Sequence, residues 1–162
     1  MGGHTGFTKG KIHDVVVRPL AKFLDERGWL SELFRADELD PRFLPAMAYI
    51  SMTRPGVARG PHEHREQADC FAFIGPSNFK VYLWDARKDS PTYGKKQTFF
   101  CGADAPAALV VPPGIVHAYK NVSLENGIVF NAPDRLYAGK GKGQPVDEIR
   151  HEEAEESAFL LD

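Results

Sequence analysis

Three histidines and an aspartate carry the chemistry that can be read from this chain. His62 and His64 lie one residue apart in Arg59-Gly-Pro-His-Glu-His-Arg-Glu-Gln-Ala-Asp-Cys70, and Asp69 follows five residues after His64. About fifty residues later, Pro112-Pro-Gly-Ile-Val-His117 delivers another histidine from a turn, with Asn121 just beyond. Residues two apart on a strand point to the same face, so His62 and His64 can aim both rings into one cavity. Neutral imidazoles with a carboxylate suit a divalent transition metal. His62, His64, Asp69 and His117 are therefore candidate ligands for Zn, Fe, Ni or Mn. The same histidines are candidate acid–base groups, because imidazole titrates near neutrality. The plainest alternative is a polar turn with incidental imidazoles.

Elements that place distant residues at one opening are needed for either chemistry. With 162 residues the chain is most simply one domain. Its net charge of -2 gives no general attraction to nucleic acid or to an anionic membrane surface. Twelve prolines and 15 glycines imply many turns. Residues 1–13 read as a flexible N-terminal arm ahead of a domain over 14–162. Short β-rich runs then follow one another: 14–18, 29–34, 47–52, 70–74, 79–84, 98–101, 107–111, 115–119 and 127–131. Their spacing with Gly/Pro punctuation predicts an all-β sandwich or barrel with few short helices. One helical turn is expected over 35–39, and 146–156 reads as a C-terminal helix or an irregular acidic tail. Gly139-Lys-Gly-Lys-Gly-Gln144 reads as a mobile loop whose lysines can meet an anion.

Cys70 and Cys101 sit among aromatic, strand-like residues and read as buried thiols. The start of the chain lacks the apolar core of a signal peptide, and no run approaches a membrane span of roughly 20 apolar residues. A reducing cytoplasm is the expected compartment.

Gly56, the His62-x-His64 pair, the carboxylate at 69 and Gly75 together resemble the first motif of the cupins. Pro112-x-Gly-x-x-His117-x-x-x-Asn121 resembles the second. That resemblance implies a jelly-roll β-barrel with its site in the mouth. Four further stretches are similar to the dTDP-4-dehydrorhamnose 3,5-epimerase family. They are Asp25-Glu-Arg-Gly-Trp-Leu-Ser-Glu-Leu-Phe34, Gly56-Val-Ala-Arg-Gly-Pro-His62, Asp85-Ala-Arg-Lys-Asp-Ser-Pro-Thr-Tyr-Gly94 and Pro113-Gly-Ile-Val-His-Ala-Tyr119. They run in the family's order over residues 14 to about 137.

The resemblance implies metal-free epimerisation of a dTDP-4-keto-6-deoxyhexose in cell-surface polysaccharide synthesis. His62 would abstract a proton beside the keto group. Arg27, Glu32, Arg59 and His117 match positions that hold the nucleotide sugar, and Tyr137 matches the aromatic platform for thymine. A homodimer is implied as well. The chain departs from the pattern at several places. No lysine stands near Cys70, Val81 replaces an aspartate, and the family's tyrosine should fall at Phe130 or Asn131. No C-terminal carboxylate motif is present to orient His62, and His64 stands where the family usually has glutamine. An epimerase needs a base on one face of the carbon and an acid on the other, and only the base can be named. Two alternatives stay open: a metal-dependent cupin enzyme using His62, His64, Asp69 and His117, and a non-catalytic sugar-binding cupin.

Overall fold

The computed structural model describes residues 6–162. Its strands in chain order are β1 (Thr8–Lys9), β2 (Val16–Pro19), β3 (Phe23–Asp25), β4 (Gly28–Leu30), β5 (Tyr49–Thr53), β6 (Ala58–Glu63), β7 (Asp69–Phe73), β8 (Asn78–Asp85), β9 (Lys95–Gly102), β10 (Ala107–Val111), β11 (Ile115–Asn121), β12 (Gly127–Asn131) and β13 (Ile149–Arg150). A six-stranded sheet has the order β1-β9-β8-β11-β6-β13, and a five-stranded sheet has the order β2-β10-β7-β12-β5. β3 and β4 form a separate hairpin. Every pairing is antiparallel except β1 with β9. The all-β sandwich, expected from short punctuated strands, is the observed architecture.

Alternation along β8 explains why so many of its residues are apolar. Phe79, Val81 and Leu83 face the other sheet and join Phe71, Phe73, Leu109, Val111, Ile115 and Val129 in the central core. Tyr82 and Trp84 point the opposite way, where Phe7, Phe159 and Leu161 cover them. On the outer side of the other sheet, Leu20 and Leu33 pack with Ala72 and Ala108, while Phe34, Leu39 and Phe43 pack with Cys70 and Val110. Both sheets are thus covered on two faces. Fully burying a side chain such as Phe73 contributes roughly 1.5–3 kcal/mol, and Cys70 and Cys101 are free, buried thiols.

Covering the outer faces accounts for two departures from the sequence expectations. The flexible arm expected over 1–13 does not hold for its described part, residues 6–13; Met1–Thr5 lie outside the described residues. Thr8 and Lys9 pair with Lys95 and Lys96, and Ile12 is buried in the core. The Asp85-x-Arg-x-x-Ser-x-Thr motif clamps this segment. Asp85 accepts hydrogen bonds from Arg87, Ser90 and Thr92, while Arg87 donates to the His13 carbonyl at 2.9 Å. Burial raises the Asp85 pKa, but these donors overcome it and hold the carboxyl down at about 2. The motif is therefore explained by structure. The second departure is the run 29–34, which is strand only as far as Leu30. Leu33 and Phe34 instead pack on the outer face.

The turn expected over 35–39 is present, with Glu38 N–H and Leu39 N–H bonded to the Arg35 carbonyl. The C-terminal segment forms no α-helix. Ile149 and Arg150 pair with Glu63 and His62, followed by a short 3-10 turn at His151–Glu153. Among the described residues, no helix is long and apolar enough to cross a membrane.

Candidate active site

The two sequence motifs meet as neighbouring strands. His62 on β6 stands directly opposite His117 on β11, and their ring centroids lie 6.3 Å apart, edge to face. Gly60 makes this approach possible. Its φ is +91°, and a Cβ there would sit 2.6 Å from the His117 carbonyl oxygen and 3.0 Å from the His62 nitrogen. A side chain at this position would meet backbone on both strands, which gives a steric reason for the glycine in Arg-Gly-x-His.

Asp69 reaches the same point from β7, in the opposite sheet. One of its oxygens, Oδ2, lies 3.1 Å from His64 Nε2 and 3.3 Å from His117 Nε2. The other, Oδ1, accepts from Gln67 Nε2 and Asn131 Nδ2, each at 2.9 Å. Each imidazole is fixed at its other nitrogen by a backbone carbonyl: His64 Nδ1 donates to Asp147, and His117 Nδ1 donates to Ile115. Candidate ligand atoms of His64, Asp69 and His117 lie within 4.8 Å of one another. His62 stands outside this group. The four-residue metal set expected from sequence is thus brought together at three positions, because His62 turns toward the C-terminal segment.

Burial and the shared carboxylate separate the proton affinities of the cluster. Burial lowers the pKa of His64, but the hydrogen bond and charge of Asp69 outweigh it and raise the value to about 9. His117 is more deeply enclosed. Burial lowers its pKa further than Asp69 can restore, and the nearby His64 adds to the fall, to about 4. Burial alone would raise the Asp69 pKa, but the two histidines and Asn131 hold it below the ordinary value. Near neutral pH the cluster is a carboxylate, one imidazolium at His64 and one neutral imidazole at His117.

His62 is held differently. Its Nε2 lies 2.7 Å from Glu152 Oε1, and its Nδ1 lies 3.5 Å from Glu148 Oε1. Both carboxylates come from the C-terminal segment that the sequence left without an orienting carboxylate. The same segment pins the turn after the His-x-His pair. Asp147 accepts the backbone N–H groups of Arg65, Glu66 and Gln67 at 2.9–3.0 Å. His151 is half-buried: it pairs with Glu63 at 2.8 Å and packs on Phe159. Spacing offered no signal for Glu148 and Glu152. They belong to an acidic run whose only strand-like feature is Ile149.

A cavity of about 610 Å³ opens at this cluster. His62, His64, Asp69 and His117 line it, together with Arg59, Tyr49, Tyr119 and Glu148. Arg59 is anchored on β5 by Thr53 Oγ1 at 3.0 Å and the Met52 carbonyl at 2.7 Å. Tyr137, Gly139 and Lys140 lie at the cavity, as do Arg135 and Arg150. The lysine-bearing glycine loop thus contributes to the cavity wall. Arg27 and Glu32, the other expected substrate contacts, do not line it. Arg27 sits in the β3–β4 turn, exposed and paired with Asp25, and Glu32 follows that hairpin, 3.7 Å from Arg35. The hairpin stands away from the cavity of its own chain, which separates these residues from Arg59 and Tyr137.

Two facing sheets with paired histidine motifs at one mouth define a cupin-type jelly roll. The family model described as dTDP-4-dehydrorhamnose 3,5-epimerase matches residues 9–144, and the chain belongs to that family. It is an isomerase-class, nucleotide-sugar-epimerase-like enzyme. A probable low-salt glycan biosynthesis epimerase, Agl13 of Haloferax volcanii, is 39% identical over 127 residues, covering 78% of this chain and 81% of that protein. The spore coat polysaccharide biosynthesis protein SpsL of Bacillus subtilis is 37% identical over 110 residues, covering 67% and 71%. Among solved structures, a dTDP sugar isomerase from Desulfovibrio desulfuricans superposes with a TM-score of 0.78 at 21% identity, covering 93% of this chain and 91% of that one.

Proposed function

We propose that this enzyme epimerises a dTDP-linked 4-keto-6-deoxyhexose in glycan synthesis, with His62 as the base. The observation that carries the reading is the Glu152–His62 pair at 2.7 Å beside the cavity. The Glu152 carboxylate orients the imidazole through Nε2 and leaves Nδ1 as the ring nitrogen available to the reacting carbon. Glu148, the neighbour of Nδ1, lines the cavity. Nδ1 is therefore the atom that removes the proton from a carbon beside the keto group.

Removing that proton builds negative charge on the keto oxygen, which needs a donor or cation nearby. The family's lysine is absent, and both nitrogens of His64 are taken by Asp147 and Asp69, so the positive charge falls to the other cations that line the cavity. Arg59, Arg135, Lys140 and Arg150 give the cavity wall the cations a pyrophosphate requires. Tyr137 offers an aromatic face for the base. The names of the relatives in glycan and polysaccharide biosynthesis agree with this substrate class.

A homodimer completes the site. The β3–β4 hairpin exposes Phe23, Leu24, Trp29 and Leu30. A two-stranded hairpin with apolar residues in water is poorly stable by itself. Docking on a second copy covers it and carries Arg27 and Glu32 to the partner's cavity. The buried thiols accord with a reducing compartment such as the cytoplasm.

Solvent deuterium exchange tests the base. Incubation of dTDP-4-keto-6-deoxyglucose with the enzyme in deuterium oxide is expected to label a carbon flanking the keto group, and His62→Asn is expected to abolish the labelling. Full labelling by the variant would refute the assignment. A wild type that binds dTDP without exchanging any proton would point to a sugar-binding protein.

A second reading rests on one observation. His64 and His117 both have Nδ1 tied to a backbone carbonyl and Nε2 turned to Asp69 Oδ2. This donor set fits a divalent cation as well as it fits the proton on His64. His64, Asp69 and His117 would hold such an ion, which would supply Lewis-acid polarisation of the keto oxygen. Elemental analysis of untagged protein decides it: stoichiometric metal lost in His64→Gln supports this reading, and less than about 0.1 ion per chain ends it.

A further inference from the structure

The family's proton-donating tyrosine should fall at Phe130 or Asn131, and neither residue is an acid. β12 nevertheless leads to a phenol. Asn131 stands opposite Tyr49 in the register of β12 with β5, and its Nδ2 donates to the Tyr49 hydroxyl at 3.0 Å. We propose that Tyr49 is the proton donor of this enzyme, the acid having moved by one strand to β5, with Asn131 as its positioning residue. The proposal rests on the epimerase reading above.

Three observations support it. First, the Asn131 amide has a fixed orientation. Its second N–H goes to Asp69 Oδ1 at 2.9 Å. Turning the amide over would set its oxygen against that carboxylate, so the NH₂ group must face both partners. The Tyr49 oxygen is therefore an acceptor in this contact, and its own hydrogen remains for a ligand. Second, Tyr49 lines the same cavity as His62 but comes from the other sheet: β5 ends the five-stranded sheet, whereas β6 lies in the six-stranded one. Base and acid thus reach one cavity from different sheets, which suits delivery and removal of a proton on two faces of a carbon. Third, burial raises the Tyr49 pKa above the ordinary phenol value, with the Asn131 bond only partly offsetting it. The resting phenol keeps its proton.

The other phenol at the cavity is less suited. Tyr119 is enclosed by Phe71, Phe73 and Phe79, and its hydroxyl meets Ser51 Oγ at 3.1 Å.

The proton balance is simple. His62 Nδ1 takes the proton from the carbon, and the C–H electron pair passes into the enolate. The Tyr49 O–H bond then breaks and its proton forms a new C–H bond on the opposite face, leaving a phenolate. The imidazolium loses its proton to water and the phenolate regains one from water, which reaches Tyr49 because that residue is 47% exposed.

The test uses dTDP-4-keto-6-deoxyglucose in deuterium oxide, with labelling and inversion followed separately. Wild-type enzyme is expected to label and to invert. Tyr49→Phe is expected to fold normally and still label by way of His62, while inversion falls by roughly 10²–10⁴-fold. Exchanging the two residues, Tyr49→Asn with Asn131→Tyr, is expected to recover inversion at least tenfold over Tyr49→Asn alone. A Tyr49→Phe enzyme that inverts within threefold of wild type overturns the proposal alone, as does loss of inversion confined to Tyr119→Phe. A wild-type enzyme that neither labels nor inverts this sugar overturns the epimerase reading and this proposal together.

Discussion

Glu152 Oε1 lies 2.7 Å from His62 Nε2, although 90 residues separate the two in sequence. The C-terminal segment reaches this position because β13 adds to the sheet beside β6, with Arg150 opposite His62. The segment after β13 then turns back over the histidine. The carboxylate that the sequence lacked in its expected place is supplied by an acidic run with no recognisable motif.

Replacing Glu152 by Gln keeps the size and removes the carboxylate that holds His62 Nε2. The expected outcome is a fall in kcat of on the order of 10²-fold with KM nearly unchanged. Steady-state kinetics across pH check it. An equal loss in KM and none in kcat would assign Glu152 to binding.

Stability should pass through a maximum near neutral pH. The folded pKa of His64 is raised from 6.5 to about 9, so its contribution is complete below about 6.5 and lost as pH rises through about 9. The folded pKa of His117 is depressed from 6.5 to about 4, so the unfolded chain binds the extra proton first and stability falls as pH drops from about 6.5 toward 4. At ~1.4 kcal/mol per tenfold change in proton affinity, the His64 contribution has an upper bound of about 3.5 kcal/mol. Thermal melts from pH 5 to pH 9.5 measure both limbs. His64→Gln should flatten the alkaline limb; an unchanged alkaline limb would remove His64 from this role.

Gly60→Ala tests the strand contact that joins the two histidine motifs. The added Cβ combines a left-handed backbone with an approach of 2.6 Å to the His117 carbonyl. Together these cost roughly 2–5 kcal/mol. Urea denaturation reads the loss, and a variant as stable as wild type would mean that β6 and β11 can separate freely.

Leu24→Ser with Trp29→Ser removes apolar surface from the exposed hairpin. The expected result is a shift from dimer to monomer in light scattering, with weakened binding of dTDP because Arg27 and Glu32 no longer reach a neighbouring cavity. A wild type that is monomeric at working concentration would refute the shared site.

Much of the fold was legible because it rests on local signals. Proline and glycine punctuation with β-branched and aromatic runs marked β7, β8, β10, β11 and β12 to within one or two residues. Three features were not legible. Residues 6–13 contain few apolar residues, and Phe7 and Ile12 find their places only against Trp84 and the core. The acidic run 147–153 reads equally as a helix or an irregular tail, and only its pairing with β6 at Ile149 and Arg150 places it. Arg27 and Glu32 match the family's motif, yet neither lines the cavity of its own chain.

The sequence by itself determined the sandwich, the histidine motifs and the cavity histidines, because strand periodicity and turn chemistry act between near neighbours. Tertiary structure decided which groups touch: Glu152 at His62, Asp147 under the turn at 65–67, and Asn131 between Asp69 and Tyr49. Each of these contacts joins strands or segments far apart in the chain. Hydrogen bonds and desolvation depend on separations of a few ångströms in space, and spacing along the chain carries no record of them until the sheets have formed.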